Sequence, residues 1–298
     1  MAIKTTGIGG SIKMIGTGGG IKLGAPSGGG GGGGGSIPDS SHLYSLLRRG
    51  VNQTSHSSGG NTFIDSWNDA RGSGLGHPLY LPQRIFEYGG AAYTLLETDG
   101  SARYSQASGL RATTDDSSNQ LTSVTDGEWT IYARIKSEET WWGDGGFDNT
   151  PFALWESVGI GYKGSDAGDY IFARSRRYQI SSPGKIYYEI KDYQQTGEIE
   201  AFNQSGSDYY TIVLRGSPAS GWSMRKDDNG GAGSFGSSSA YTPNTGGSSV
   251  GLSIGSAIHI GDLGSEAGQF RTSDFAIYKS YHSDAIASQV ISYLNSAP

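Results

Sequence analysis

The sequence predicts an all-β protein, an antiparallel β-sandwich of the jelly-roll type that ends in a short helix. Glycine makes up 50 of the 298 residues and only 17% of residues are charged, which favours turns and strands over helices. Tyrosine, phenylalanine and tryptophan number 18, 9 and 6, and such side chains suit the faces of β-sheets. From residue 61 onward, short strand-like segments alternate with turn sequences and no helical crossover separates them, so we expect antiparallel pairing.

Residues 1–36 are predicted to form a glycine-rich arm and linker that is distinct from the folded domain. A nine-residue repeat places an isoleucine before a lysine three times, at Ile3 and Lys4, Ile12 and Lys13, and Ile21 and Lys22. Residues 28–35 are all glycine, which is typical of a flexible linker. Such short repeats cannot bury a core alone, so the arm either becomes ordered against a partner or sister chains, or stays a disordered tail.

Residues 37–60 are predicted to be a short helix followed by a polar connector. Ser41 suits the N-cap of this helix and Gly50 its end. The apolar residues that would share one helical face are Leu43, Leu46 and Leu47. Residues 51–60 are polar and glycine-rich, and we expect a loop there.

Eleven segments of the predicted jelly-roll domain, residues 61–298, have the composition of short strands bounded by turn residues. They are residues 84–88, 91–96, 129–136, 169–174, 185–190, 198–202, 209–215, 222–226, 250–254, 257–260 and 271–278. Gly89 and Gly90 separate the first two segments, and such a pair favours a hairpin turn. Alternation in the third segment predicts inward side chains at Trp129, Ile131, Ala133 and Ile135. The side chains predicted to face outward are Thr130, Tyr132, Arg134 and Lys136.

The last predicted strand leads into the C-terminal helix. Phe275 and Ile277 are expected to share one face of that strand. Ser283 suits the N-cap of the helix. The apolar residues of the helix recur at a spacing of four, which predicts packing on a sheet, and they are Ile286, Val290 and Leu294.

Composition and motifs argue against several functions. The net charge is −6. Residues 1–38 contain three lysines and no acidic residue, so the rest of the chain carries the negative charge. The body therefore offers no basic surface for nucleic acid. The absence of cysteine excludes disulfides and thiolate metal sites. No apolar run suits a signal peptide or a membrane span, so we expect synthesis in the cytoplasm and no membrane insertion. No zinc spacing, nucleophile elbow or phosphate-binding loop is present.

Residues 61–298 resemble the laminin-G-like domains of the concanavalin A-like lectin and glucanase superfamily. The motifs that carry the resemblance are WTIYARIK at 129–136, YTIVLRG at 210–216, WSMRK at 222–226, IHIG at 258–261, DFAIY at 274–278 and SDAI at 283–286. The resemblance implies a jelly roll, and the superfamily includes lectins, glycanases, adhesion modules and domains of phage virions. A glycine-rich arm ahead of such a domain resembles bacteriophage virion proteins, in which the N-terminal segment anchors the chain on the particle.

The best glycan-binding candidates lie in the aromatic, glycine- and aspartate-rich loop that precedes Trp155. Flat rings stack on sugars and carboxylates or amides bind hydroxyls, and the residues with these groups are Trp141, Trp142, Asp144, Asp148 and Asn149. Alternatively, the tryptophans pack against a neighbouring strand or subunit. Calcium is possible at the same acids or at Asp227, Asp228 and Asn229, although such clusters are more often plain turns. No metal site is predicted.

The strongest catalytic candidates are Glu198 and Glu200. They resemble part of the E-I-D-x-x-E strand of glycanases that share the concanavalin A-like fold, and alternation would place both on one face. Asn203 replaces the final carboxylate, which serves as the acid/base in that pattern, and retaining hydrolysis requires two carboxyl groups. We therefore predict no catalytic residue and expect that the protein is not an enzyme.

The expected function is that of a bacteriophage virion structural protein: a capsid decoration protein, a head fibre or a tail-associated adhesin. Residues 1–36 would bind virion shell or tail proteins, the chain would form a homo-oligomer, and the jelly roll would be displayed on the virion surface, where it stabilises the shell or binds host glycans. The alternative is a free carbohydrate-binding lectin or, less favoured, a glycoside hydrolase.

Overall fold

The computed structural model describes residues 36–71, 80–85, 94–104, 108–111, 127–137, 148–156, 170–176, 185–192, 195–203, 209–227, 234–236, 250–255, 270–296 and 298. Side chains are described in 36–71, 94–103, 127–136, 209–227, 234–236, 271–296 and 298. Apart from Ser36, the predicted arm lies outside these residues, so its order and its anchoring role stay predictions.

The described residues form sixteen β-strands, a 3-10 helix and one α-helix. The strands are β1 (Leu43–Arg48), β2 (Gln53–Ser58), β3 (Asn61–Asn68), β4 (Tyr80–Ile85), β5 (Thr94–Leu96), β6 (Ala102–Tyr104), β7 (Ser108–Arg111), β8 (Trp129–Ser137), β9 (Asp148–Glu156), β10 (Tyr170–Arg176), β11 (Lys185–Asp192), β12 (Gln195–Asn203), β13 (Tyr210–Ser217), β14 (Gly221–Asp227), β15 (Val250–Gly255) and β16 (Phe270–Tyr278). The 3-10 helix is Ser40–His42 and the α-helix, α1, is Asp284–Asn295.

The strands pair antiparallel in the order β12-β11-β10-β9-β15-β7-β4-β3-β5-β6-β16-β8-β13-β14, with β1 on β16 and β2 on β3. β4 connects two sheets, because its residues 80–82 pair with β3 and its residues 83–85 pair with β7. A strand that changes partners in this way forms a corner between the sheets of a sandwich. The predicted all-β sandwich with a short C-terminal helix is confirmed.

β8 lies at the centre of the best-packed sheet, between β16 and β13. The four predicted inward side chains of β8 are buried, but the prediction that the intervening side chains are exposed to solvent is wrong for three of the four, since only Lys136 is half-buried. Thr130 and Tyr132 are fully buried and Arg134 keeps only 8% exposure, because this second face of the sheet is covered too. The side chains of β8 do alternate between two faces, but the sequence of β8 alone does not show that another element covers its polar face.

α1 supplies part of that cover. Ala287, Val290, Ile291 and Leu294 of α1 are fully buried and pack in one cluster with apolar residues of four strands, namely Leu43, Leu46, Tyr132, Val213, Ala276 and Tyr278. Each large apolar side chain buried in this way contributes roughly 1.5–3 kcal/mol. The predicted helix and its Ser283 cap are confirmed, since the Ile286 N–H donates to Ser283 Oγ at 3.3 Å. Ile286 itself is only half-buried.

The helix predicted after Ser41 is wrong from Leu43 onward. Only Ser40–His42 is helical, as one 3-10 turn, and the leucine-rich segment forms β1, paired with β16 from Leu43 opposite Tyr278 to Arg48 opposite Asp274. Both faces of β1 are largely buried. A short apolar run of this kind fits a helix and a doubly buried strand equally well, and pairing with β16 decides between them.

The polar loop predicted at residues 51–60 is also wrong, because residues 53–58 form β2. β2 pairs with β3 from Gln53 opposite Trp67 to Ser58 opposite Asn61. Gly59 and Gly60 form the two-residue turn with φ values of +57° and +83°, as a type I′ hairpin turn requires. β2 is solvent-exposed over most of its length, and for that reason its sequence resembles a loop.

The hairpin predicted around Gly89 and Gly90 is not formed by the strands described on either side. β4 and β5 each pair with β3 and not with one another. Residues 86–93 lie outside the described part, as do residues 257–260. The remaining predicted strands correspond to β8, β10 to β16 and β5, with ends that shift by a few residues.

Candidate functional site

Most of the predicted glycan-binding loop lies outside the described residues. This applies to Trp141, Trp142 and Asp144. Asp148 and Asn149 begin β9, where they pair with Arg176 and Ser175 of β10, and their side chains are not described. The loop therefore stays a prediction.

The predicted glycanase-like strand exists as β12, at one end of the strand order. Glu198 lies opposite Glu189 of β11, and Glu200 lies opposite Tyr187. The side chains of β12 are not described, so a shared face for the two glutamates stays a prediction. Asn203, the last residue of β12, pairs with Lys185.

Of the acids considered for calcium, Asp227 is the one whose side chain is described. Its carboxylate is buried and lies 3.1 Å from Arg225 Nη2, so it serves as a counter-ion inside the fold. Asp228 and Asn229 lie outside the described residues. No group of three or more His, Asp or Glu side chains is placed to hold a metal ion within the described part of the chain, and none of its helices is long and apolar enough to cross a membrane.

A buried hydrogen-bond chain links Asp39, His282 and Tyr132. His282 is fully buried, with Nε2 3.0 Å from Asp39 Oδ2 and Nδ1 2.6 Å from the Tyr132 hydroxyl. A carboxylate only accepts, so Nε2–H donates to Asp39 and Nδ1 accepts from Tyr132. Asp39 also accepts from Ser280 Oγ at 2.8 Å and from His42 Nδ1 at 2.6 Å.

Burial and hydrogen bonds fix the protonation states of the three groups in this hydrogen-bond chain. Burial lowers the pKa of His282, although Asp39 opposes the shift, and burial raises the pKa of Tyr132. Burial would raise the pKa of Asp39, but hydrogen bonds from His42, Ser280 and His282 bring it below its usual value. A neutral imidazole, a neutral phenol and a carboxylate result. Because His282 and Tyr132 have no exposed surface, this chain connects elements and is not a ligand site.

A second buried network anchors the C-terminal end of α1. The Asp274 carboxylate, fully buried on β16, lies 3.0 Å from Arg48 Nε. Arg48 also donates to the Tyr293 and Ser296 carbonyls at 2.9 and 2.8 Å. A cation at the carbonyl end of a helix is stabilising, so this network too has a structural role.

Two rings and a carboxylate lie together at an exposed position of the β2–β3 hairpin. We define the hairpin surface as His56, Phe63 and Asp65. His56 lies opposite Phe63 in the register, and the rings stack with centroids 5.2 Å apart and planes inclined by 17°. His56 Nδ1 lies 2.6 Å from Asp65 Oδ1. The side chains of His56 and Asp65 are 56% and 47% exposed.

Local strand irregularity builds this surface. The register shifts between Thr54 opposite Ser66 and Ser55 opposite Ile64, so Asp65 is an extra residue in β3. A β-bulge of this kind re-aims a side chain, and Asp65 thereby reaches His56. Below the pair, Ile64 is fully buried and fixes β3 to the body.

The hairpin surface has the chemistry of a shallow sugar-binding site. Asp65 accepts the Nδ1–H of His56, which leaves Nε2 of the ring for a ligand. Aromatic faces stack on the apolar side of a sugar ring, and carboxylate oxygens accept hydrogen bonds from its hydroxyls. Sequence reasoning missed these residues because His56 stood alone in an apparent loop. The signal that would have revealed the hairpin is the Gly59-Gly60 pair, which is typical of a two-residue hairpin turn.

No protein-family model and no curated protein matches this sequence. Among solved structures, an α-L-arabinofuranosidase aligns with a TM-score of 0.53 at 14% identity, over 88% of this chain and 60% of that chain. Botulinum neurotoxin type C, whose cell entry depends on interaction with two ganglioside molecules, aligns with a TM-score of 0.51 at 10% identity, over 86% of this chain and 52% of the other. A sialidase of Trypanosoma rangeli aligns at 12% identity with a TM-score of 0.49, over 87% of this chain and 33% of the sialidase.

The chain thus spans at most 60% of the length of these proteins. The likeness to the arabinofuranosidase and the neurotoxin shows a shared β-rich fold and supports the expected β-sandwich. It also overturns the expectation that the protein is not an enzyme, because the structures that share its fold include a glycoside hydrolase. The absence of the last carboxylate from one glycanase pattern does not exclude hydrolysis on this fold.

Proposed function

We propose that this chain is a carbohydrate-binding β-sandwich protein whose hairpin surface contacts the sugar. The observation that carries the proposal is the exposed stack of His56 on Phe63 with Asp65 hydrogen-bonded to the imidazole. A sugar ring placed over the imidazole would gain stacking, and its hydroxyls would reach Nε2 of His56 and the carboxylate of Asp65.

The rigid position of the surface supports this role. Asp65 holds the imidazole orientation, the stack restrains the ring, and the buried residues of β3 fix both to the sandwich. Groups that are already in place lose little conformational entropy when a ligand binds. The site is shallow and small, so we expect weak affinity for one sugar unit and tighter binding to oligosaccharides or multivalent displays.

The comparisons favour carbohydrate binding over the virion role expected from the sequence. The arabinofuranosidase and the ganglioside-dependent neurotoxin, which share the fold, act on or bind carbohydrates by their descriptions, and neither is a virion protein. Attachment of residues 1–36 to a particle, homo-oligomer formation and a virion location stay predictions. Deletion of residues 1–36, followed by a test of whether the chain still joins particles, addresses the anchoring role separately.

Sugar binding is tested by NMR titration of the full chain with neutral oligosaccharides chosen from a glycan array. We expect resonances of His56 and Phe63 to shift, and His56→Ala and Asp65→Asn to weaken binding. Ser57→Ala is the matched control, because Ser57 lies on the same exposed strand but, by alternation, on its opposite face. Sugar binding that survives both substitutions would exclude the hairpin surface, and absence of binding across the array would refute the proposed function.

Glycoside hydrolysis is the second candidate, favoured by the glutamates of β12. Glu198 and Glu200 lie two residues apart on an antiparallel strand, and retaining or inverting hydrolysis uses a pair of carboxyl groups. Release of 4-nitrophenol from aryl glycosides, or of reducing ends from polysaccharides, tests it. Activity that disappears in Glu198→Gln and Glu200→Gln supports hydrolysis; activity unchanged in both variants would remove these residues from consideration.

A further inference from the structure

The guanidinium group of Arg215, on β13 next to the terminal strand β14, lies close to two aromatic rings. Arg215 Cζ lies 3.5 Å from the centroid of the Phe235 ring and 4.4 Å from that of the Tyr281 ring. All three side chains are half-buried. With both rings this close, we expect a ligand to reach the guanidinium through its N–H groups.

Two of the five guanidinium donors of Arg215 are used inside the protein. Nε donates to Ser223 Oγ at 2.9 Å and Nη1 donates to the His282 carbonyl at 2.6 Å. An arginine has five N–H donors, so both hydrogens of Nη2 and one of Nη1 are left. Within the described residues Nη2 donates no hydrogen bond, and it is not among the buried polar atoms that lack a partner, so it keeps some exposure to solvent. We call the unused hydrogens of Nη1 and Nη2 the fork of Arg215.

Arg215 also differs from most other described arginines because it lacks an ion-pair partner among the described residues. Arg48, Arg49, Arg71, Arg103, Arg225 and Arg271 each lie within ion-pair distance of an aspartate or glutamate. Among the described arginines, Arg134 and Arg215 have no such partner, and Arg134 is buried with 8% exposure. Asp284, near Phe235, instead accepts the Phe235 N–H at 3.3 Å. The described part of the chain therefore supplies no carboxylate to the fork of Arg215.

The position of the fork is rigid. Arg215 lies opposite Ser223 in the register of β13 and β14, and His282 is locked in the buried chain described above. A planar guanidinium whose orientation is already fixed matches a carboxylate through two parallel hydrogen bonds. Lysine cannot reproduce that geometry.

We propose that Arg215, flanked by Phe235 and Tyr281, binds the carboxylate of an acidic sugar. The identity of the ligand as a sugar rests on the proposed carbohydrate-binding function, whereas the carboxylate follows from the free fork. In this arrangement the carboxylate takes the Nη1 and Nη2 hydrogens and the sugar ring lies against the edge of one aromatic side chain.

The test is an NMR titration of the full chain with glucuronate and, at the same ionic strength, with glucuronamide, its neutral counterpart. We expect the Arg215 side-chain resonances to shift with glucuronate, and glucuronate to bind about tenfold or more tightly than glucuronamide, as for a hydrogen bond between charged groups. Arg215→Lys keeps the charge but removes the fork and should abolish the preference. Arg103→Lys is the matched control, since Arg103 is a half-buried arginine already paired with Glu97, and it should leave the preference unchanged.

Equal binding of glucuronate and glucuronamide, or a preference that survives in Arg215→Lys, would overturn the proposal. Phe235→Leu keeps an apolar side chain without a ring and should reduce the preference. Because this variant leaves Arg215 unchanged, it tests the proposal even if Arg215→Lys fails to fold. Acetate that binds as tightly as glucuronate would overturn the assignment to a sugar. Neutral oligosaccharides that bind at the hairpin surface without any carboxylate preference would leave the proposed function intact and refute this inference alone.

Discussion

At the scale of single residues, Gly216 shows how tightly the sheet around β8 is packed. It lies opposite Trp129 across β13 and β8, and the indole occupies the space that a side chain at Gly216 would need. A Cβ built on Gly216 would lie 2.4 Å from Cζ2 of Trp129. Trp129 is itself 1% exposed, so the ring has no room to move aside.

We therefore expect Gly216→Ala to lower the free energy of unfolding by about 1–3 kcal/mol, as overpacking of a filled core does. Chemical denaturation followed by tryptophan fluorescence measures it. Gly127→Ala is the control, because a Cβ at Gly127 meets no atom within 4 Å. A Gly216→Ala variant as stable as the Gly127→Ala variant would show that the indole can relocate.

At the scale of elements, the β2–β3 hairpin and α1 depend on different forces. The hairpin is exposed along β2 and depends on its turn, in which Gly59 and Gly60 both have positive φ. α1 depends on burial, with four fully buried apolar side chains against the sheet. Substitutions in these two elements should therefore differ in both mechanism and size.

Gly60→Ala should cost about 1–2 kcal/mol, because an L-residue is strained at positive φ. No atom lies within 4 Å of a Cβ at Gly60, so the cost comes from the backbone alone. Gly60→Asn should cost less, since asparagine tolerates this conformation. Thermal unfolding and hydrogen exchange at β2 measure the effect; equal stability of the alanine and asparagine variants would argue against a type I′ turn.

In α1, Leu294→Ala should destabilise the protein by about 2–5 kcal/mol, the range for leucine truncation in a packed core. Leu294 is fully buried against the sheet. Gln289→Ala, at an exposed position of the same helix, should be close to neutral. Comparison of the two midpoints of urea unfolding separates packing from helix propensity, and similar midpoints would mean that α1 contributes little.

At the scale of the whole molecule, Asp39 connects parts of the chain that are far apart in sequence. Through His282 and Tyr132 it links the segment before β1 to β8 and to the residues ahead of α1. The pKa values of both His282 and Asp39 lie below their usual values in the folded protein. The unfolded chain therefore binds more protons than the folded chain as pH falls.

Stability should accordingly be highest above pH about 6.5, where an unfolded histidine is neutral. It should fall as pH drops through the titration of His282, by about 1.4 kcal/mol for each unit of pKa difference, and fall further below pH about 3.8 as Asp39 protonates. His282→Gln retains a donor and an acceptor and should flatten the first step. Urea midpoints between pH 8 and 4 measure it; equal slopes for both proteins would remove His282 as the cause.

How far the sequence predicts this protein differs between its parts. The strand at 129–136, the paired strands 209–215 and 222–226, and the closing strand and helix were predicted because each has a local signature: alternation, turn residues or a cap with an apolar stripe. The segment 43–48 was predicted wrongly, because its leucines fit two structures and only β16 selects one. The hairpin surface was missed, because an exposed strand lacks the apolar alternation that identifies a strand.

By itself the sequence determined the fold class, because turns, strand alternation and helix capping depend on residues that are close together in the chain.

 The tertiary structure alone decided which strands pair, which faces are covered and which polar side chains meet. Those outcomes depend on contacts between residues far apart in the chain, such as Asp39 with His282 and β1 with β16. No local pattern encodes such contacts, because a strand or a half-exposed side chain has the same sequence whether or not a distant element covers it.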